Sequence, residues 1–145
     1  MDRKTIEEWT MDLAHSVASR GTCDRARVGA VILDTKNRIV ATGYNGSAGP
    51  GVGHCDDIGH QMRDNHCIAT VHAEQNAIAD CARTGKAIEG CSIYVTHFPC
   101  LNCIKLIIQS GITAVYYDDD YRVDTYGLEL LELNQVKITQ VRCSK

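Results

Sequence analysis

The chain has 145 residues, 44% of them hydrophobic and 23% charged, with a formal net charge of −3. That profile suits one soluble globular domain, expected over 1–145, and argues against nucleic acid held by broad electrostatics. No apolar run approaches the ~18 residues of a membrane span, and Met1-Asp2-Arg3-Lys4 leads into a polar segment without a signal-peptide core. No membrane partner is expected, and the expected compartment is cytoplasmic.

Thr5 to Ser19 reads as an amphipathic helix. Ile6, Trp9, Leu13, Ser16 and Val17 recur at helical spacing, and Thr5 with Glu8 forms a capping box. Val28 to Leu33 and Arg38 to Tyr44 read as an antiparallel hairpin around the turn Asp34-Thr35-Lys36-Asn37. Asn45 to Gly53 holds four glycines and a proline and is loop. The loop is expected to continue, through a Cys/His-rich stretch, to about Thr70. A loop that long inside a compact domain is functional or pinned by something. A helix is expected from Val71 to Thr84, closed by Gly85. Cys91 to Thr96 is a strand, Leu101 to Ser110 a helix ended by Gly111, and Ile112 to Tyr117 a strand. Asp118-Asp119-Asp120 reads as a solvated turn. Thr125 to Leu133 is a helix and Val136 to Val141 a last strand. This order implies an α/β fold with a mixed sheet covered by helices on both faces.

Eight cysteines are many for this length. In a reducing compartment, cysteines with histidines point to metal rather than disulfides. Cys81, Cys91 and Cys143 sit among apolar neighbours and read as small core residues. Cys100 and Cys103 share one face of a helix that Pro99 opens, near its positive end, where thiolates are favoured. His72 and Glu74 stand about 200° apart around a helix. They address one point only off the helix end, so two helix starts are expected to converge on a metal. His72, Cys100 and Cys103 make three ligands for zinc, which prefers four, and leave one position for water. Two thiolates weaken the acidifying effect of the cation, so a base is needed beside that water. Glu74 fills the role. Glu74 would take a proton from the water as its oxygen attacks a ring carbon bearing an exocyclic amine. It would then protonate the ring nitrogen and the departing ammonia. The competing reading is a structural metal site closed by a fourth Cys or His.

These residues resemble the cytidine-deaminase superfamily, and within it the deoxycytidylate (dCMP) deaminases. The match runs through Arg20-Gly21-Thr22-Cys23, Val28-Gly29-Ala30-Val31, Gly43-Tyr44-Asn45-Gly46 and His54-Cys55. It continues through the block from Val71 to Ile78, Tyr94 to Cys100, and Ser110-Gly111-Ile112. The resemblance implies a three-layer fold with a five-stranded mixed sheet. It implies a zinc hydrolase that converts dCMP to dUMP and ammonia and feeds thymidylate synthesis. It further implies a homohexamer activated by dCTP and inhibited by dTTP, with Mg2+ accompanying the effector nucleotide.

Roles carry over by position. Asn45 is placed to hydrogen-bond the sugar, against plain turn chemistry. The N–H groups of Ala73 and Cys100 are placed to hold the pyrimidine carbonyl or the water on the zinc. A monophosphate needs a cationic cradle, for which Arg25, then Arg27 and Arg122, are candidates, each against a solvated surface arginine. Tyr121 is placed to close over the substrate, against a packing role. Gly43 and Gly46 lie where an effector nucleotide would bind, and Arg83 aligns with a position tied to subunit contact.

Cys23, Cys55, His60, His66 and Cys67 are left over. Four of the five would make a second, structural zinc site pinning the long loop, which some members of the family carry. The alternative is two core-facing cysteines with exposed histidines. Two other enzymes fit the deaminase motifs: a tRNA adenosine deaminase, which should carry a basic surface, and a free cytosine or cytidine deaminase, which needs no phosphate cradle. A non-catalytic zinc-stabilised binding module would keep the ligands without needing Glu74.

Overall fold

A computed structural model of the chain describes residues 2–143. Met1, Ser144 and Lys145, parts of the domain expected over 1–145, lie outside the described residues. Helix α1 spans Ile6–Ala18. It opens as its capping box requires. Thr5 Oγ1 accepts from the Glu8 N–H and the Glu8 carboxylate accepts from the Thr5 N–H, each at 3.1 Å. Its buried residues are Thr10, Met11, Ala14 and Ala18, while Trp9 is 40% exposed. The apolar stripe is thus turned by one residue from the expected one. Thr10 enters the core because its hydroxyl donates to the Ile6 carbonyl at 2.6 Å, leaving no unmet polar atom.

Strands β1 (Gly29–Leu33) and β2 (Ile39–Tyr44) form the expected hairpin. The Asp34 carboxylate accepts from the Lys36 and Arg38 N–H groups, and Asn37 takes the left-handed φ of 60° that the turn needs. The stretch expected to be structureless is not. β3 (Gly46–Ser47) pairs with β6 (Thr70–Val71), and a short helix α2 covers Cys55–Ile58. β4 (Met62–Arg63) and β5 (His66–Cys67) form a tight hairpin. Asp64 and Asn65 fill its two-residue turn with φ of 51° and 64°, a conformation these side chains tolerate best after glycine. Ladders two residues long carry no hydrophobic alternation, so periodicity does not reveal them.

Helix α3 spans Ala73–Thr84 and stops at Gly85, whose φ is 74°. The expected start at Val71 is corrected: Val71 belongs to β6, and His72 is the N-cap. Next come β7 (Ser92–His97), α4 (Leu101–Gln109), β8 (Ala114–Asp119), α5 (Thr125–Leu133) and β9 (Lys137–Gln140). Asp124 caps α5 by accepting from the Gly127 N–H at 2.7 Å.

The five long strands make one sheet in the order β2-β1-β7-β8-β9. β1 runs antiparallel to both neighbours, and β7, β8 and β9 are parallel, with α4 and α5 as the crossovers. On one face Met11 and Ala14 of α1 pack on Val31, Leu33 and Tyr94. On the other, α3, α4 and α5 bring Ala77, Ile104, Ile107 and Leu131 onto Ile32, Ile93, Val95 and Val115. Every residue of β1 is buried, as a strand covered on both faces should be. The layers come close at two glycines. A Cβ on Gly29 would lie 2.1 Å from the Ala14 carbonyl of α1, and one on Gly43 would lie 2.3 Å from the Ala73 carbonyl of α3.

Two further expectations are settled here. Cys81 and Cys91 are core residues and Cys143 is half-buried against the α1 layer. The acidic run is not a solvated turn: β8 extends through Asp119, and Asp118 is buried. No helix among the described residues is long and apolar enough to cross a membrane.

Candidate active site

His72 and Cys100 are the N-caps of α3 and α4, both with extended backbones. The Gln75 side chain accepts the His72 N–H at 2.9 Å, which fixes the chain as it enters α3 and leaves the imidazole ring to project past the helix end. Cys103 sits in the first turn of α4, fully buried. His72 Nδ1 lies 3.3 Å from Cys103 Sγ and 3.5 Å from Cys100 Sγ. Zinc bonds near 2.3 Å to sulfur and 2.0–2.1 Å to nitrogen put tetrahedral S and N ligands about 3.6 Å apart. The donor set, its spacing and the two helix N-termini all fit that ion. Among the described residues no fourth His, Cys, Asp or Glu atom joins this group.

The three groups act strongly on one another. The Cys103 thiol, ahead of the His72 ring, holds Cys100 down at about 4 against the effect of burial. That thiolate in turn raises His72, while the Cys100 hydrogen bond and burial push Cys103 far up. Glu74, the second residue of α3, is only 4% exposed. Burial pushes its carboxyl above the ordinary range, with its own N–H and the His72 ring pulling the other way. A buried carboxyl so poised can hold a proton and release it.

His72 and Cys100 line a cleft of about 810 Å³, and Cys103 is buried beside them. Ala73, Glu74, Asn45, Arg25, Tyr121 and Arg122 line the same cleft. Asn45 is buried, and its amide is largely engaged. Oδ1 accepts from the Val28 N–H at 2.7 Å and Nδ2 donates to the Ala26 carbonyl at 2.8 Å. One Nδ2 hydrogen remains for a ligand. Tyr121 is 78% exposed, with the Arg122 guanidinium 5.5 Å from its ring centroid. Arg27 is a correction. Its Nε donates to the Gly21 carbonyl and its Nη2 to Asp56 at 3.0 Å, so it braces the insert and does not line the cleft.

Gly43 and Gly46 line a separate cavity of about 420 Å³ with Ser47, Pro50 and His54. Arg83 lies exposed in the last turn of α3, outside both cavities. Sequence reasoning passed over His97 and Phe98, which line the main cleft. Their adjacency to Pro99-Cys100 was the available signal.

Of the five leftover ligand types, Cys23, Cys55, His60 and Cys67 converge, with their donor atoms within 4.8 Å of one another. Cys23 Sγ lies 3.5 Å from His60 Nδ1, the spacing expected of two zinc ligands. His60 Nε2 meets Asp24 at 2.9 Å, the carboxylate partner that a metal-ligating imidazole usually has on its far nitrogen. Burial opposes ionisation of Cys67, but the Ala69 N–H and the His60 ring hold its thiol down at about 7. Burial, with Cys23 next, takes Cys55 up to about 12. His66 is excluded from this group. It stands on β5 and lines the main cleft instead.

A three-layer α/β sheet whose helix starts aim two sulfurs, one imidazole and a buried carboxyl into a cleft defines a zinc-dependent hydrolytic enzyme. The model of the cytidine and deoxycytidylate deaminase zinc-binding region matches residues 4–118. ComE operon protein 2 of Bacillus subtilis is 48% identical over 141 residues, covering 97% of this chain and 74% of that protein. Deoxycytidylate deaminase of Saccharomyces cerevisiae is 32% identical over 145 residues, covering 95% of this chain but only 45% of that protein. The dCMP deaminase of cyanophage S-TIM5, solved in complex with dCMP and dUMP, superposes with a TM-score of 0.82 at 30% identity, covering 97% of this chain and all of that one. The chain belongs to the cytidine and deoxycytidylate deaminase family and is a zinc-dependent deaminase.

Proposed function

We propose that the chain deaminates dCMP with water, giving dUMP and ammonia. The observation that carries this reading is one cleft that joins the His72–Cys100–Cys103–Glu74 group to the cations Arg25 and Arg122, with His66 beside them. The group suits an aminopyrimidine and the cations suit one phosphate. Zinc on the three ligands would polarise and acidify a water at its fourth position. Glu74 takes a proton from the attacking water as the water oxygen bonds to C4 and delivers it to ring N3. The proton left on that oxygen then passes through Glu74 to the exocyclic amine, and the C4–N bond breaks to give the C4 carbonyl and ammonia. The Ala73 and Cys100 amides, at helix starts, hold the pyrimidine carbonyl or the water. The free Asn45 N–H binds the sugar, and Tyr121 covers the substrate. Likeness to the yeast and cyanophage enzymes supports the choice of base and phosphate.

The Cys23–Cys55–His60–Cys67 group holds a second, structural zinc, supported by its spacing and by Asp24 behind His60. The enzyme works as a cytoplasmic homohexamer feeding thymidylate synthesis, activated by dCTP with Mg2+ and inhibited by dTTP. The cavity lined by Gly43 and Gly46 offers room for an effector, and the exposed Arg83 offers a subunit contact. These last points rest chiefly on family likeness.

The test is ammonia release from dCMP and from deoxycytidine. The nucleotide should be preferred by about 10²-fold or more in kcat/KM, the weight of charge-assisted bonds to one phosphate. Comparable turnover of both would overturn the nucleotide reading.

A further inference from the structure

We infer that the Cys23–Cys55–His60–Cys67 metal site sets affinity for the substrate's phosphate by holding the phosphate-binding side chains in place. This rests on the reading that the cleft takes a nucleoside monophosphate and that the group binds zinc. The connectivity is direct. Cys23 lies two residues before Arg25, and Cys67 immediately follows His66. Cys23, Arg25, His66 and Cys67 all line the cleft. Two of the four ligands are therefore within two residues of Arg25 and His66, two of the three basic side chains of the cleft.

The hairpin part of this wall has few ties to the rest of the molecule. Residues 56–66 are exposed throughout, and Met62 and Ile68, the large apolar side chains flanking the β4–β5 hairpin, are each about two-fifths exposed. The hairpin has two residue pairs. Its tip is tied to the turn at Arg25 by one long bond, Arg25 Nη2 to the Asn65 carbonyl at 3.4 Å. The ligands come from residue 23, from α2 and its exit at 55–60, and from residue 67. The first two segments are already joined, by the Asp56 N–H to the Thr22 carbonyl at 3.1 Å and by Arg27 to Asp56 at 3.0 Å, and one ion on the ligands would tie the hairpin to them through Cys67. Without it, the incoming nucleotide must itself order the hairpin, and that entropy is lost from its affinity. The reacting groups are insulated. His72, Glu74, Cys100 and Cys103 stand on α3 and α4, which the main core anchors. Loss of the second metal should therefore act on binding of phosphate-bearing ligands and leave the chemical step in place.

The experiment compares full-length, zinc-loaded wild type with Cys55→Ser, a ligand that does not line the cleft, and with Asp24→Asn, which keeps all four ligands. Zinc per chain, Kd for dUMP by calorimetry, and kcat and KM for dCMP and deoxycytidine are measured. Cys55→Ser should retain one zinc and raise both the dUMP Kd and the dCMP KM about tenfold or more. Its kcat for dCMP and its kcat/KM for deoxycytidine should stay within about threefold of wild type. Asp24→Asn should weaken zinc at the second site about 10–100-fold, so that dUMP affinity follows added zinc. Should Cys55→Ser fail to fold, that titration decides alone. Unchanged dUMP affinity with a single zinc overturns the inference, as do equal losses for dCMP and deoxycytidine. A wild type with one zinc per chain, or without activity on dCMP, overturns the underlying reading as well and is told apart by the wild-type data alone.

Discussion

Glu74 combines three properties that a proton carrier needs. It is close to sealed from solvent, its carboxyl is raised by burial, and it sits two residues from His72, which caps its own helix. Glu74→Gln keeps the shape and the helix start but cannot exchange a proton. Zinc content should be unchanged while kcat falls by about 10²–10⁴-fold, checked by metal analysis alongside ammonia release. Near-normal turnover would remove Glu74 from the mechanism. At this scale legibility depended on how specific the local pattern is. His72 with Glu74, and Cys100 with Cys103, stand out as two short chemical patterns with partners two or three residues apart, although 28 residues separate His72 from Cys100. Arg27 was misjudged because the end of an arginine goes where its partner is, and Asp56 lies 29 residues away. His66 was grouped with the cysteines by proximity in sequence, but a two-residue strand alternates its side chains. His66 and Cys67 both line the cleft, but only Cys67 brings its donor atom to Cys23, Cys55 and His60.

The helices and long strands followed from caps, stops and period, with ends shifted by a few residues. The insert did not, because β3–β6 and β4–β5 are two-residue ladders without buried stripes. The contacts between layers were also hidden, since a glycine in a strand does not announce what it faces. Gly29 and Gly43 mark two such approaches on opposite faces of the sheet, and they separate stability from function. A Cβ at Gly29 would meet the Ala14 carbonyl and the Ala18 nitrogen of α1, and one at Gly43 the Ala73 carbonyl and the Ala77 nitrogen of α3. Either alanine must push its helix outward, at a cost of about 1–3 kcal/mol. Both variants should therefore shift the urea midpoint down with little change in slope. Only Gly43→Ala moves the helix that begins at His72 and carries Glu74. Its kcat should fall while that of Gly29→Ala stays near wild type. Equal kcat in the two variants would show that α3 can yield without moving the site.

Asp118 ties together parts of the molecule that lie far apart in sequence. From the end of β8 its carboxylate meets His15 of α1 at 2.7 Å and accepts from the Arg142 guanidinium at 3.3 Å and the Cys143 N–H at 3.2 Å. The chain after β9 is thereby fastened to the α1 layer, on the face of the sheet opposite α3 and α4. Burial works against the charge, but the His15 and Cys143 hydrogen bonds outweigh it and hold the carboxyl below its ordinary value. A group lowered on folding stabilises the fold above its unfolded pKa, near 4, and that contribution disappears as the pH falls through the folded value. Arg142 is well exposed and adds little that salt does not screen. The buried acceptor matters more, and Asp118→Asn should cost about 1–3 kcal/mol at neutral pH. Chemical unfolding of wild type and variant across a pH series should show a gap that is widest above pH about 5, begins to narrow near 4 and closes as the pH falls through the lower folded value. Zinc loss in acid affects both proteins alike and cancels in the difference. A gap independent of pH would mean that Asp118 acts through packing and not through its charge.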